Sequence, residues 1–163
     1  MRHRKLPETW KTYRIGDPDG IWPIWDSGGA RRASGRWHEA GADVIYASRT
    51  YSTAMLEKLV HYNGALPPNQ HFLEITVPAG LSYEVVNPDT IPGWAAADGN
   101  VARRLGTAWY KETRAAMLVV PSVVARMEFN VVFNAAHPEF PMIKPGLETP
   151  VWWDKRLFDI TKR

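Results

Sequence analysis

The sequence predicts an α+β fold with few helices and a strongly bent or split mixed sheet. Apolar residues at helical spacing are confined to a pair of segments, whereas short runs with strand character recur along the whole chain. Thirteen prolines and twelve glycines are spread throughout and read as turns between short elements. The order strand, loop, strand, helix, several strands, helix, several strands argues against alternating βαβ units. A chain of 163 residues with 45% apolar content fits a single domain spanning 1–163 with a core of its own.

Thr12-Tyr13-Arg14-Ile15 is the first clear strand, stopped by Gly16-Asp17-Pro18-Asp19-Gly20. From there to Gly41 the chain reads as loop. Ser27-Gly28-Gly29-Ala30 and Ser34-Gly35-Arg36 set flexible backbone beside cations, a combination that suits phosphate. Val44-Ile45-Tyr46-Ala47-Ser48 is a short apolar strand, followed by a helix capped by Thr50 or Ser52. That helix places Met55, Leu56, Leu59 and Val60 at helical spacing and stops near Asn63-Gly64, ahead of Pro67-Pro68. Leu73, Ile75 and Val77 alternate in a half-buried strand from Phe72, and Tyr83 to Val86 forms another. A second helix runs from a cap at Asn100 to about Thr113. Ala115 to Val120 is a continuous apolar run that reads as a buried strand, ended by Pro121. Short strands are expected from Phe129 to Phe133 and from Arg156 to Ile160.

Composition excludes several classes. With no cysteine there is no disulfide, thiolate nucleophile or zinc–thiolate site. The basic start is followed by Pro7 and polar residues rather than an apolar stretch, so no secretory signal is predicted. No run approaches the roughly 18 apolar residues of a membrane span, and a cytoplasmic location without membrane contact is the expectation. The net charge of +3 suits an anionic ligand or an acidic partner. Arg2-His3-Arg4-Lys5 is short enough to read as a solvated end, so no direct nucleic-acid contact is expected. The eight tryptophans supply apolar bulk for a core, a ligand site or a partner face.

Candidate chemistry begins between Gly35 and Glu57. Glu57 lies on a helix one turn before His61, as a solvated carboxylate, a partner for His61 or a catalytic group. Arg36 is either a surface cation stacked on Trp37 or an anion ligand. Tyr46 is either a core phenol or a site residue. Ser122, after Pro121, is a cap or turn residue, or part of the same site.

The order Tyr13-Arg14, Gly35-Arg36-Trp37-His38 with Gly41, Val44-Ile45-Tyr46-Ala47-Ser48, Ala54-Met55-Leu56-Glu57 and Val119-Val120-Pro121-Ser122 resembles the RES-domain family, the toxin halves of RES–Xre toxin–antitoxin pairs. Asn130, Asn134, His137 and Pro138 extend the resemblance. It implies a fold similar to ADP-ribosyltransferases, NAD as substrate, no metal, and an Xre-type helix-turn-helix antitoxin as partner, with homo- or hetero-oligomeric assembly open. Carried over residue by residue, Arg36, Tyr46, Glu57 and Ser122 match the family's functional residues, and Arg14 falls on a basic position of the first strand. Arg31 and Arg32 depart from the pattern and compete with Arg36 for phosphate.

These residue types suit cleavage of the nicotinamide–ribose bond. Positive charge grows on the ribose in the transition state, and a carboxylate stabilises it; neutral nicotinamide leaves without a strong general acid. On this reading Glu57 and Tyr46 act at the ribose and nicotinamide. Arg36 binds the pyrophosphate, Arg14 is a further cofactor-binding position, and Ser122 donates to a ribose hydroxyl or the carboxamide. The expected activity is NAD glycohydrolase or phosphorylase, with ADP-ribosylation of a protein as an alternative. Two rivals stand outside this class. One is a metal-free ribonuclease using His38, His61, His71 or His137. The other is a non-catalytic interaction module built on Trp22-Pro23-Ile24-Trp25 and Trp152-Trp153.

Overall fold

The computed structural model describes residues 3–158. Its strands are β1 (Arg4–Lys5), β2 (Trp10–Gly16), β3 (Val44–Ser48), β4 (His71–Val77), β5 (Ser82–Val85), β6 (Met117–Pro121), β7 (Phe129–Asn134), β8 (Lys144–Pro145) and β9 (Thr149–Pro150). The helices are α1 (Gly28–Arg32), α2 (Tyr51–His61) and α3 (Asn100–Lys111). The strands form one mixed sheet in the order β1-β5-β6-β7-β3-β2-β4-β8, with β9 also on β4. Among the described residues, only β5 and β6 pair in parallel. Among the described residues no helix is long and apolar enough to cross a membrane.

Strand periodicity divides the core. Ile45 and Ala47 of β3, Met117 and Val119 of β6, and Val131 and Phe133 of β7 enter one apolar cluster. The alternate residues Val44, Leu118, Val120 and Val132 enter a second, with Trp37, Trp94, Ala102 and Trp109. Both faces of the central strands are therefore covered, which is why β6 reads as an unbroken apolar run and is buried at every position.

The sheet is strongly bent. β2 and β5 stand four places apart in the strand order. In a flat sheet that separation is about 19 Å. Yet the rings of Trp10 on β2 and Tyr83 on β5 lie 5.9 Å apart. Leu73, Ile75 and Val77 of β4 likewise reach the cluster that holds Met117 and Val131.

Local differences from the sequence reading have physical causes. The segment from Gly16 to Gly41 contains α1, because Asp26 Oδ1 accepts from Gly28 N at 2.6 Å and Arg31 N reaches Ser27 O at 3.0 Å. Gly28 serves packing as well as flexibility: a Cβ there would lie 2.2 Å from the Trp22 ring. The start of α2 is the expected one, Thr50 accepting from Thr53 N. α2 ends slightly early, at His61, and Asn63 (φ 49°) and Gly64 (φ 87°) turn the chain away. α3 is preceded by Gly99, and Asp98 Oδ1 accepts from Asn100 N. The expected strand from Arg156 is instead a 3-10 turn over Lys155–Leu157, because Asp154 accepts from Arg156 N and pairs with its guanidinium. Its last positions, 159 and 160, lie outside the described residues.

The tryptophans divide accordingly. Trp37, Trp94 and Trp109 are core. Trp25 stacks on Phe140 at 5.6 Å, and Trp153 packs edge-on against Phe158. Trp152 is 76% exposed.

Candidate active site

A cavity of about 550 Å³ opens where β2, β3 and α2 meet the loops after α1 and β6. Arg14, Arg36, Tyr46 and Glu57 all line it, together with Tyr13, Trp37, Lys58, His61 and Asn130. That volume lies within the range of roughly 300–1,000 Å³ usual for small-molecule sites.

Glu57 is placed by α2, whose buried Thr53 and Ala54 face the sheet and turn the carboxylate one turn further on toward the cavity. The carboxylate is not paired with His61. Its Oε1 accepts from Ser122 Oγ at 2.8 Å and from Asn130 Nδ2 at 2.7 Å. Its Oε2 has no protein donor among the described residues. Ser122 is 0% exposed and its Oγ also accepts from Ala125 N at 3.0 Å. The serine therefore stands behind Glu57 with its proton already committed, away from the ribose or carboxamide contact expected from the sequence.

Tyr46 is held by a neighbour the sequence reading did not place in the site. His38 Nε2 faces two carbonyl oxygens, of Ala30 at 3.1 Å and Ala33 at 3.0 Å, so it carries the ring proton. Nδ1 is then an acceptor, and the Tyr46 hydroxyl donates to it at 2.7 Å while accepting from Trp37 N at 3.1 Å. Burial raises the Tyr46 pKa, against smaller opposing effects from the Trp37 amide, Arg103 and Arg36. The phenol stays protonated and its hydroxyl is spent on the scaffold, which leaves the ring as the part that meets the cavity. The same network requires the small Gly35, since a Cβ there would lie 2.7 Å from His38 Cε1.

Burial also lowers the His38 pKa, beyond what the bonds to Ala33 and Ala30 restore. Its folded value lies below its unfolded value of 6.5, so the unfolded chain binds the proton first. The stabilising contribution is present above pH 6.5 and is lost as pH falls through that value toward the folded pKa. Urea titrations between about pH 7.5 and about pH 5.5 should show that loss, and it should shrink in His38→Gln; an equal loss in both proteins rules His38 out as its source.

Arg14, Arg36 and Lys58 line the same cavity, and among the described residues none of them forms a salt bridge. Arg14 donates from Nε to Ile24 O at 2.5 Å and from Nη1 to Tyr46 O at 2.8 Å. Burial lowers its pKa to about 10, against the favourable charge of Asp26, so it remains a cation near neutral pH. Arg36 donates from Nη1 to Trp94 O at 3.1 Å and Ala96 O at 2.9 Å, and is not stacked on Trp37. Lys58 was not singled out from the sequence, yet it lines the cavity; burial and the charge of Arg14 lower its pKa. Arg31 and Arg32 end α1 and do not line the cavity; Arg31 lies 3.8 Å from Asp26. Of the histidines, His61 alone among the described residues belongs to the lining.

Few helices around a mixed, bent sheet with this cleft define an α+β fold of the ADP-ribosyltransferase type. It superposes on a chain of the M. tuberculosis MbcT–MbcA toxin–antitoxin complex with a TM-score of 0.71 and 15% identity, over 90% of this chain and 86% of that one. More narrowly, the chain belongs to the RES domain family, whose profile matches residues 11–154. It is 39% identical to a Sphingobium protein named Prs ADP-ribosylating toxin, over 90% of each chain. It is 37% identical to the Toxin Res of Pseudomonas putida, over 80% of this chain and 90% of that one. The Toxin Res of Photorhabdus laumondii is 30% identical over 78% and 83% respectively.

Proposed function

We propose that this protein is a toxin that binds NAD in the cavity and breaks its nicotinamide–ribose bond. The observation that carries this reading is a carboxylate anchored through one oxygen in a cavity also lined by the cations Arg14, Arg36 and Lys58 and by the tyrosines Tyr13 and Tyr46. The cations suit the pyrophosphate, and the rings suit the flat faces of the dinucleotide. Glu57 stabilises the positive charge that grows on the ribose as nicotinamide departs. Ser122 acts through Glu57 rather than on NAD.

Water or inorganic phosphate is the acceptor this reading favours; the name of the Sphingobium relative supports protein ADP-ribosylation as the second outcome. Incubation with NAD, with and without phosphate and with a target-protein extract, separates free ADP-ribose, its phosphorylated counterpart and modified protein. Intact NAD after all three incubations rejects the enzymatic reading. Arg36→Ala should weaken NAD affinity about 10- to 100-fold, as expected for loss of a charged hydrogen-bond donor. Unchanged affinity by calorimetry moves the phosphate role to Arg14 and Lys58.

A toxin acting on NAD needs an inhibitor, and the solved neighbour is a toxin–antitoxin complex. An Xre-type antitoxin is the proposed partner. Exposed Val60 on α2 and Val124 after β6 line the cavity, exposed Leu56 and Met127 belong to the same two segments, and together they offer it an apolar landing surface. Co-purification with the product of an adjacent helix-turn-helix reading frame, and its loss in Val60→Asp, tests this.

A further inference from the structure

We infer that Asn130, held by Ser48, is a positioning residue that fixes the orientation of the Glu57 carboxylate so that one oxygen stays free for the substrate; this rests on the reading of Glu57 as the carboxylate at the ribose.

Asn130 Nδ2 donates to Glu57 Oε1 at 2.7 Å, and Asn130 Oδ1 accepts from Ser48 Oγ at 2.7 Å. The amide has one workable orientation. Flipped, it would set its oxygen against a carboxylate oxygen, two acceptors at hydrogen-bond distance, and leave its NH₂ facing the serine. Ser48 and Asn130 are direct cross-strand partners in the β3–β7 ladder, so the relay is mounted on two paired strands. Ser48 and Glu57 flank the start of the same helix, while Asn130 and Ser122 enter from β7 and the end of β6. Both donors bind Oε1, so the carboxylate cannot rotate without losing both, and Oε2 is left for the ligand.

The other charged or titratable groups lining the cavity are Tyr13 and Arg14 on β2, Arg36, Tyr46 on β3, and Lys58 and His61 on α2. Arg126 and Glu128 lie outside the lining, on the loop between β6 and β7. No second carboxylate lines the cavity among the described residues. Placing one at position 130 therefore gives a distinctive signature.

The test follows the Glu57 carboxyl resonance by carbon-13 NMR at a single pH, beside NAD kinetics, in the wild type, Asn130→Asp and Ser48→Ala. Asn130→Asp, which removes the donor to Oε1 and sets a second carboxylate in its place, should move that resonance and lower kcat about 10-fold or more. Ser48→Ala should lower kcat about 5- to 10-fold with KM within about 2-fold. A Glu57 resonance unmoved in Asn130→Asp overturns the relay. So does a Ser48→Ala variant with wild-type kcat, which decides the matter if Asn130→Asp does not fold. A wild type that leaves NAD intact removes the functional reading, and the NMR comparison still tests the relay on its own.

Discussion

Glu57→Gln should lower NAD turnover about 100-fold or more while the melting temperature stays near that of the wild type. The two expectations come from different atoms of one side chain. Oε1 accepts from Ser122 and Asn130, and the amide oxygen of glutamine accepts the same two bonds in the same place. Packing of α2 on β2 and β3 is untouched. What disappears is the negative charge that the proposed function sets opposite the ribose, and on that reading it matters only when positive charge develops there. Turnover and melting should therefore separate. Near-normal turnover in a folded variant would remove Glu57 from the chemistry; a large drop in melting temperature would make it a structural anchor instead.

Gly106→Ala should destabilise the protein by about 3 kcal/mol, reversing the usual effect of this exchange. In a helix interior, alanine is ordinarily the better residue by about 1 kcal/mol. Here a Cβ would lie 1.9 Å from the carbonyl oxygen of Trp37, and backbone cannot step aside as a flexible side chain can. One turn earlier on α3, Arg103 Nε donates to Gly35 O at 3.0 Å. α3 thus clamps the loop that carries Arg36, and moving the helix moves the cation. Urea unfolding should show the loss of stability, and NAD affinity should fall with it. Gly29→Ala in α1 is the matched control: nothing lies within 4 Å of its Cβ, so it should be neutral or stabilising. Gly106→Ala as stable as that control would refute the clamp.

Legibility in the sequence followed the range of the forces involved. α2 and β3 could be read because a capping threonine, helical spacing and an apolar run are local signals. The continuous run of β6 was also readable, since a sheet covered on both faces removes alternation from its central strands. α1 was missed because Gly28 looks like a turn residue until Trp22 is seen packed over it. The end at Arg156 was misread because one aspartate cap outweighs weak strand propensity. The family resemblance, rather than any single residue, brought Arg14, Arg36, Tyr46 and Glu57 forward as a group, and the structure lines one cavity with all four. Nothing local in the sequence says that Ser122 turns to Glu57, that Asn130 meets the same oxygen, or that His38 accepts the Tyr46 hydrogen bond. Those facts depend on the β3–β7 and β6–β7 registers. Lys58 stayed hidden because a lysine beside a glutamate on a helix reads as solvated surface.

The anchors of Glu57 also set when, during synthesis, the pocket is complete. Ser122 and Asn130 lie 65 and 73 residues beyond the carboxylate they hold. A nascent chain that has only α2 outside the ribosome carries the glutamate but no pocket around it. Contacts this distant in sequence close late, after the loop entropy between them has been overcome. A chain cut short before these residues therefore carries Glu57 without either of its anchors.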